Sequence, residues 1–135
     1  MSEISSARHE ELADTLRERV GDNLRAVRVV ARTEEGAEYE HLYIRDDINE
    51  MYDEEDMKRI TEEVIYHTLG EGYRSNLFHS GEPNYTLYAF DEALVTLFYE
   101  DDAHGTAVSV DSGFDGSIRE LATDCLELLD PQSKI

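Results

Sequence analysis

NYTLYAFDEALVTLFYEDDAHGTAVSVD, residues Asn84–Asp111, reads as three consecutive β-strands joined by two short turns. In the middle segment, Leu94–Tyr99, both alternating sets are apolar. Val95, Leu97 and Tyr99 point one way, Leu94 and Phe98 the other. A strand that is apolar on both faces belongs in a sheet covered on both sides. Tyr85–Phe90 likewise sets Tyr85, Leu87 and Ala89 against Tyr88 and Phe90, and Thr106–Asp111 sets Val108 and Val110 against Ser109 and Asp111. Asp91-Glu92 suits a two-residue hairpin turn, and Glu100–Gly105 a longer one. The meander therefore needs helices on both faces, which the rest of the chain must supply.

Upstream, Leu12, Leu16 and Val20 recur at helical spacing. They predict a helix over residues 5–20, capped by Ser5 or Ser6 and ended by Gly21. Leu24–Arg32 and Tyr39–Arg45 predict a hairpin turning at Gly36. On the first strand Val27, Val29 and Ala31 share one face, while Arg28 and Arg32 share the other with Ala26 and Val30. On the second, Leu42 and Ile44 are expected to face one way and Tyr39, His41 and Tyr43 the other. Asp46–Tyr52 is a connector with one short helical turn. A second helix starts after a cap at Asp53, with Met57, Ile60, Val64 and Thr68 on one face and Ile65 and Leu69 beside it. Glu71–Asn84 is a loop, with Leu77 and Phe78 expected to pin it to the core. The last helix, Ser117–Leu129, carries Ile118, Leu121, Ala122, Cys125, Leu128 and Leu129 as its stripe, with Asp115 as the expected cap and Pro131 beyond it.

The element order is α-β-β-α-β-β-β-α. The fold class is α+β, with a five-stranded antiparallel sheet and helices on both faces. Residues 1–135 form one domain with an ordered core over about 5–129. This order resembles the roadblock/longin, profilin-like class, in which the flanking helices cover one face and the middle helix the other. The likeness is topological and covers about residues 5–129. At the sequence level the chain resembles small uncharacterised haloarchaeal proteins, through Tyr39-Glu40-His41-Leu42-Tyr43-Ile44-Arg45-Asp46-Asp47, Phe90-Asp91-Glu92-Ala93 and Gly105-Thr106-Ala107-Val108-Ser109-Val110-Asp111. That group implies no activity.

Charge constrains function most. The chain holds 32 Asp and Glu against 12 Lys and Arg, a net charge of −20. Only Lys58 and Lys134 are lysines. The acids are dispersed along the chain rather than gathered in a tail, which suits a whole surface adapted to concentrated salt. A cytoplasmic protein of an extreme halophile is the expectation. Nucleic acid and anionic membrane are poor partners at this charge. Cys125 is the single cysteine, so no intramolecular disulfide forms, in keeping with a reducing compartment. The N-terminal stretch lacks a signal-peptide core, and no apolar run approaches a membrane span.

No phosphate loop, GxGxxG, GxSxG or HExxH occurs. No cofactor and no enzymatic activity are expected. Asp46 and Asp47 with Glu50 could offer oxygens to a divalent cation, but solvated acids that begin a helix are the plainer reading. Arg45 could grip a carboxylate or phosphate bidentately, and an ion pair with Asp46, Asp47 or a neighbouring strand is the plainer reading. The five histidines are scattered, and Cys125 sits on an apolar stripe. The expected function is a non-catalytic interaction or regulatory module with a protein partner or a second copy, a homodimer. The roadblock resemblance implies an interface at the second helix and the edge strand: Met57, Ile60, Val64, Tyr85 and Tyr88. The alternative is a PAS-like small-ligand sensor, in which Tyr85, Leu87, Val95 and Leu97 line a pocket on one inner sheet face.

Overall fold

The computed structural model describes residues 5–68, 84–101 and 103–129. Ser6 precedes helix α1, Ala7–Val20, and Gly21 (φ 66°) ends it. That left-handed φ is open to glycine and strained for most other residues. A short 3-10 turn, Gly21–Asn23, leads into β1, Leu24–Thr33, which pairs with β2, Gly36–Ile44. Helices α2 (Asp46–Met51) and α3 (Glu54–Thr68) follow. Strands β3 (Tyr85–Ala89), β4 (Ala93–Tyr99) and β5 (His104–Asp111) form the meander, and α4 (Ile118–Leu129) completes the described chain. Leu69 and the loop residues Leu77 and Phe78 lie outside the described residues.

All five strands are antiparallel, in the order β2-β1-β5-β4-β3. Pairing of β1 with β5 puts the last strand at the centre. Sequence alternation cannot show this, because a strand's neighbours are set by tertiary pairing. The two-residue turn is as expected: Phe90 N–H donates to the Ala93 carbonyl at 2.8 Å. The longer turn closes two residues early, and Gly105 lies buried within β5.

The two faces are covered unequally. Helices α1 and α4 lie side by side on one face, where Leu12, Leu16, Leu121 and Cys125 bury Val27, Phe98, Val108 and Val110. Each fully buried Leu or Val there contributes about 1.5–3 kcal/mol over its exposed state. On the other face α3 lies over β1 and β2, and a smaller cluster joins Ile65 to Val30, Leu97 and Ala107. Five strands span roughly 20 Å, whereas one helix with its side chains is about 10 Å wide. A single helix seated over β1–β2 therefore leaves much of the β3–β4 side of that face uncovered by any described helix.

Two face assignments on β2 change. Val27 pairs with Tyr43 and Arg28 with His41, so Leu42 is an extra residue in the ladder. The bulge reverses the alternation beyond it. Leu42 and Tyr43 both pack on the α1 side, and Ile44 joins His41 on the α3 side. Tyr43 there receives the Arg17 guanidinium 5.0 Å above its ring. The cap of α4 also differs: Ser117 Oγ, not Asp115, accepts from the Glu120 N–H at 3.2 Å. Asp53 caps α3 as expected.

Candidate functional site

The α3 face carries a cleft of about 630 Å³ between α2–α3 and strands β3–β5. Its sheet side is formed by Tyr88, Val95, Leu97, Ala107 and Ser109, and its helix side by Ile48, Met51, Met57, Ile60 and Val64. That volume lies within the range of small-molecule sites. Strand register explains which residues meet there. Tyr88 pairs with Val95, and Leu97 with Ala107, so these side chains share a face. Tyr85 pairs with Phe98 and Leu87 with Thr96, which places them on the opposite face. The expected single pocket of Tyr85, Leu87, Val95 and Leu97 is thus divided by the sheet. Tyr85 packs against Phe98 with ring centroids 5.7 Å apart.

Two polar atoms in the cleft, Arg28 Nε and His41 Nε2, have no hydrogen-bond partner among the described residues. Arg28 Nη1–H donates to the Met57 sulfur at 3.2 Å, and its guanidinium lies 6.0 Å over the Tyr39 ring. Its Nε is buried and makes no hydrogen bond. Burial pushes the Arg28 pKa down, opposed by Tyr39 and Tyr52. His41 faces Arg28 across the ladder, and its Nε2 is also buried and unpartnered. Burial, then the Arg28 charge, lowers His41 to about 4, so the ring is neutral near pH 7. A buried donor or acceptor left unpaired costs about 1–3 kcal/mol.

The other expected interface residues distribute as follows. Met57 is buried against the sheet, while Ile60 and Val64 are half-buried on the cleft wall. Phe90 is 61% exposed, Met51 56% and Leu87 44%. Phe90 stacks on Tyr88, their rings 6.5 Å apart and 19° from parallel.

Arg45 is fully engaged. It pairs with both oxygens of Asp111 at 2.7 and 3.1 Å and both of Asp47 at 2.6 and 3.1 Å, and donates to the Asp22 carbonyl at 2.7 Å. Arg25 also pairs with Asp111 at 3.1 Å. These bonds hold the Asp111 carboxyl below its ordinary range, led by Arg45 and opposed by burial. Asp46 is exposed in the first turn of α2. The cluster ties the β1–β2 end of the sheet to β5.

A second link escaped sequence reading. His9 is 5% exposed, and its Nδ1 accepts from the Ser6 N–H at 2.9 Å. Its Nε2–H is therefore free to donate to Glu100 at 2.9 Å, and Thr106 Oγ1 donates to the same carboxylate at 2.7 Å. Burial raises the Glu100 pKa, but these two bonds outweigh it and leave the group below the usual value. The link fastens α1 to the β4–β5 turn. Cys125 is 1% exposed, and burial lifts its thiol to about 12. Among the described residues no three His, Cys, Asp or Glu side chains converge as a metal site.

A family described as a domain of unknown function, DUF7522, matches residues 10–130. The chain belongs to this family. No curated protein matches it. Among solved structures, MglB of Myxococcus xanthus aligns with a TM-score of 0.63 at 14% identity, over 96% of this chain and 90% of that one. The roadblock/LC7 domain from Streptomyces avermitilis gives 0.57 at 12% identity, over 89% and 90%. A structure titled "MglB with tetrameric arrangement" gives 0.59 at 9% identity, over 93% and 90%. This DUF7522 domain therefore has the roadblock/LC7 fold. No described helix is long and apolar enough to cross a membrane.

Proposed function

We propose that this DUF7522 domain is a non-catalytic interaction module that pairs with a second copy of itself through β3 and the adjoining side of α3. The observation that carries this reading is the composition of the β3 edge. A third of the chain is charged, yet Asn84–Phe90, NYTLYAF, holds no charge and no proline. Strand β3 is the last in the sheet, so its outer backbone groups have no strand partner among the described residues. Isolated domains blunt such edges with Lys, Pro or bulges. Here the edge instead presents Leu87 and, just beyond it, Phe90, both exposed. Two copies meeting at this edge would hide an unprotected strand, and they would meet where the −20 charge is locally absent. The related fold of an MglB with a tetrameric arrangement supports association through such a domain. The dispersed acids support a salt-rich cytoplasm as its setting.

Light scattering on a size-exclusion column in about 2 M KCl, which shortens the Debye length below 3 Å, tests the reading. The expected mass is about 31 kDa, twice the 15.5 kDa chain. Leu87→Asp and Phe90→Asp, both at exposed positions, should halve the mass and leave the circular dichroism unchanged. A wild-type mass of one chain at about 100 µM would remove the proposal.

A further inference from the structure

Among the described residues Arg28 is a cation without an anion. The chain carries 32 acids, and the neighbouring Arg25 and Arg45 both reach Asp111. No described carboxylate pairs with Arg28. Among the described residues its one hydrogen bond goes to a thioether, a weak acceptor, and its Nε has no partner. His41 beside it leaves Nε2 unpartnered as well. Both residues line the same cleft, whose other walls are largely apolar, with Met57, Ile60, Val95 and Leu97; the rest of its polar lining is Arg25, which is held by Asp111, the acids Glu63 and Glu92, and Tyr52 and Ser109. A mostly apolar cleft with a few converging polar groups is the usual form of a small-molecule site. A desolvated guanidinium that lacks a counter-charge is a site awaiting one.

We propose that this cleft binds a small organic monocarboxylate, its carboxylate on the guanidinium of Arg28 and its apolar body against Val95 and Leu97. The planar guanidinium fork matches a carboxylate bidentately. Arg25, which also lines the cleft, is held by Asp111, so Arg28 alone calls for a counter-charge there, and a single one, because His41 stays neutral at pH 7. A phosphate or sulfate dianion would bring an uncompensated charge among apolar walls. The residues named all belong to one chain, and Ile60, Val64, Tyr88 and Phe90 of the cleft also lie on the side proposed for self-pairing, so acid binding and oligomer mass are measured on the same sample.

Isothermal titration with 3-phenylpropionate and with octanoate, in about 1 M KCl, tests the site. The uncharged 3-phenylpropan-1-ol and inorganic sulfate serve as controls. At least one acid should bind one per chain with a Kd between about 10 µM and 1 mM. The alcohol and sulfate should bind at least about tenfold more weakly. Arg28→Met should erase the preference for the acid, yet keep or raise the melting temperature, since it removes a buried unpaired charge. A merely structural arginine would lower the melting temperature instead. Val95→Phe, which fills the cleft and leaves Arg28 in place, should weaken acid and alcohol alike; it decides the matter even if the Arg28 variant does not fold. Absence of heat from both acids, equal affinity for acid and alcohol, or undiminished acid binding in either variant would overturn the proposal. So would a change of oligomer mass in Arg28→Met without acid binding, which would assign Arg28 to a contact with a second copy.

Discussion

His41 and Asp111 respond to acid in separate pH windows because their environments push them in opposite senses to their charged forms. His41 drops from 6.5 to about 4 through burial and the nearby Arg28. In the unfolded chain it takes up a proton below about 6.5 that the folded chain refuses until about 4. The unfolded state thus binds more protons in that window, and stability falls as pH drops through it. Solvent reaches part of this ring, so the loss is discounted to roughly 1–2 kcal/mol. Asp111 behaves differently. Its carboxyl is depressed by Arg45 against the cost of burial, with Arg25 adding to the effect. Its contribution is full above the ordinary carboxylate range and is lost only as pH falls below that range. Urea midpoints between pH 8 and pH 4.5 should therefore decline in the wild type and stay nearly level in His41→Phe. Parallel curves for the two proteins would show that His41 is not the group responsible. Cys125 supplies a probe of the core at the same scale. A thiol held near 12 under α1 is protonated and inaccessible, so a thiol reagent should label it only at the rate of global opening. Fast labelling in native buffer would mean that α1 and α4 separate without unfolding.

Among the elements, α3 has the most exacting task, because it seals β1–β2 and walls the cleft. Its start depends on a reciprocal pair. Asp56 N–H donates to Asp53 Oδ1 at 2.7 Å, and Asp53 N–H donates to Asp56 Oδ2 at 3.1 Å. Asp53→Ala should cost about 1 kcal/mol in urea unfolding, with faster hydrogen exchange confined to the first turn of α3. An unchanged exchange pattern would mean that packing, not the cap, holds that turn. How much of each element was legible follows from what fixes it. Caps, stripes and tight turns are local, so Asp53, the α1 stripe Leu12–Leu16–Val20 and the Asp91-Glu92 turn could be read from the residues. Strand neighbours and face assignments are not local. The extra residue Leu42 transfers Tyr43 to the α1 side, and nothing in the alternation of Tyr39–Ile44 marks it. For the same reason Tyr85 and Leu87 looked like companions of Val95 and Leu97, although the register sets them on opposite faces. The cleft had one visible signal. Arg28 lies between Ala26 and Val30 on a face that must be covered, and an arginine on such a face needs an anion. Where that anion comes from is a question of tertiary structure that strand periodicity does not reach.

At the scale of the whole molecule, charge governs stability more than any single contact. None of the described acids is buried, and most are exposed, so the −20 charge acts as a shell of mutual repulsion on a small domain. The ion pairs do not cancel it, because those at Arg25, Arg45 and Arg19 engage only a few of the carboxylates. Repulsion of this kind is screened once the Debye length, about 10 Å at 0.1 M salt and about 3 Å at 1 M, falls below the spacing between charges. The melting temperature should therefore rise from 0.1 M to 1 M KCl by on the order of 10 °C, the shift that about 3 kcal/mol produces in a domain of this size. NaCl should act equally, since screening depends on ionic strength and not on the cation. Above about 1 M the screening is complete, and any further rise should be steeper in potassium phosphate than in KCl, because that regime reports strengthened burial of apolar surface. A melting temperature that is flat below 1 M would mean that the acidic surface does not destabilise the fold in dilute buffer. The halophilic reading of the composition would then lose its physical basis, while the fold, the β3 edge and the Arg28 cleft would stand unaffected.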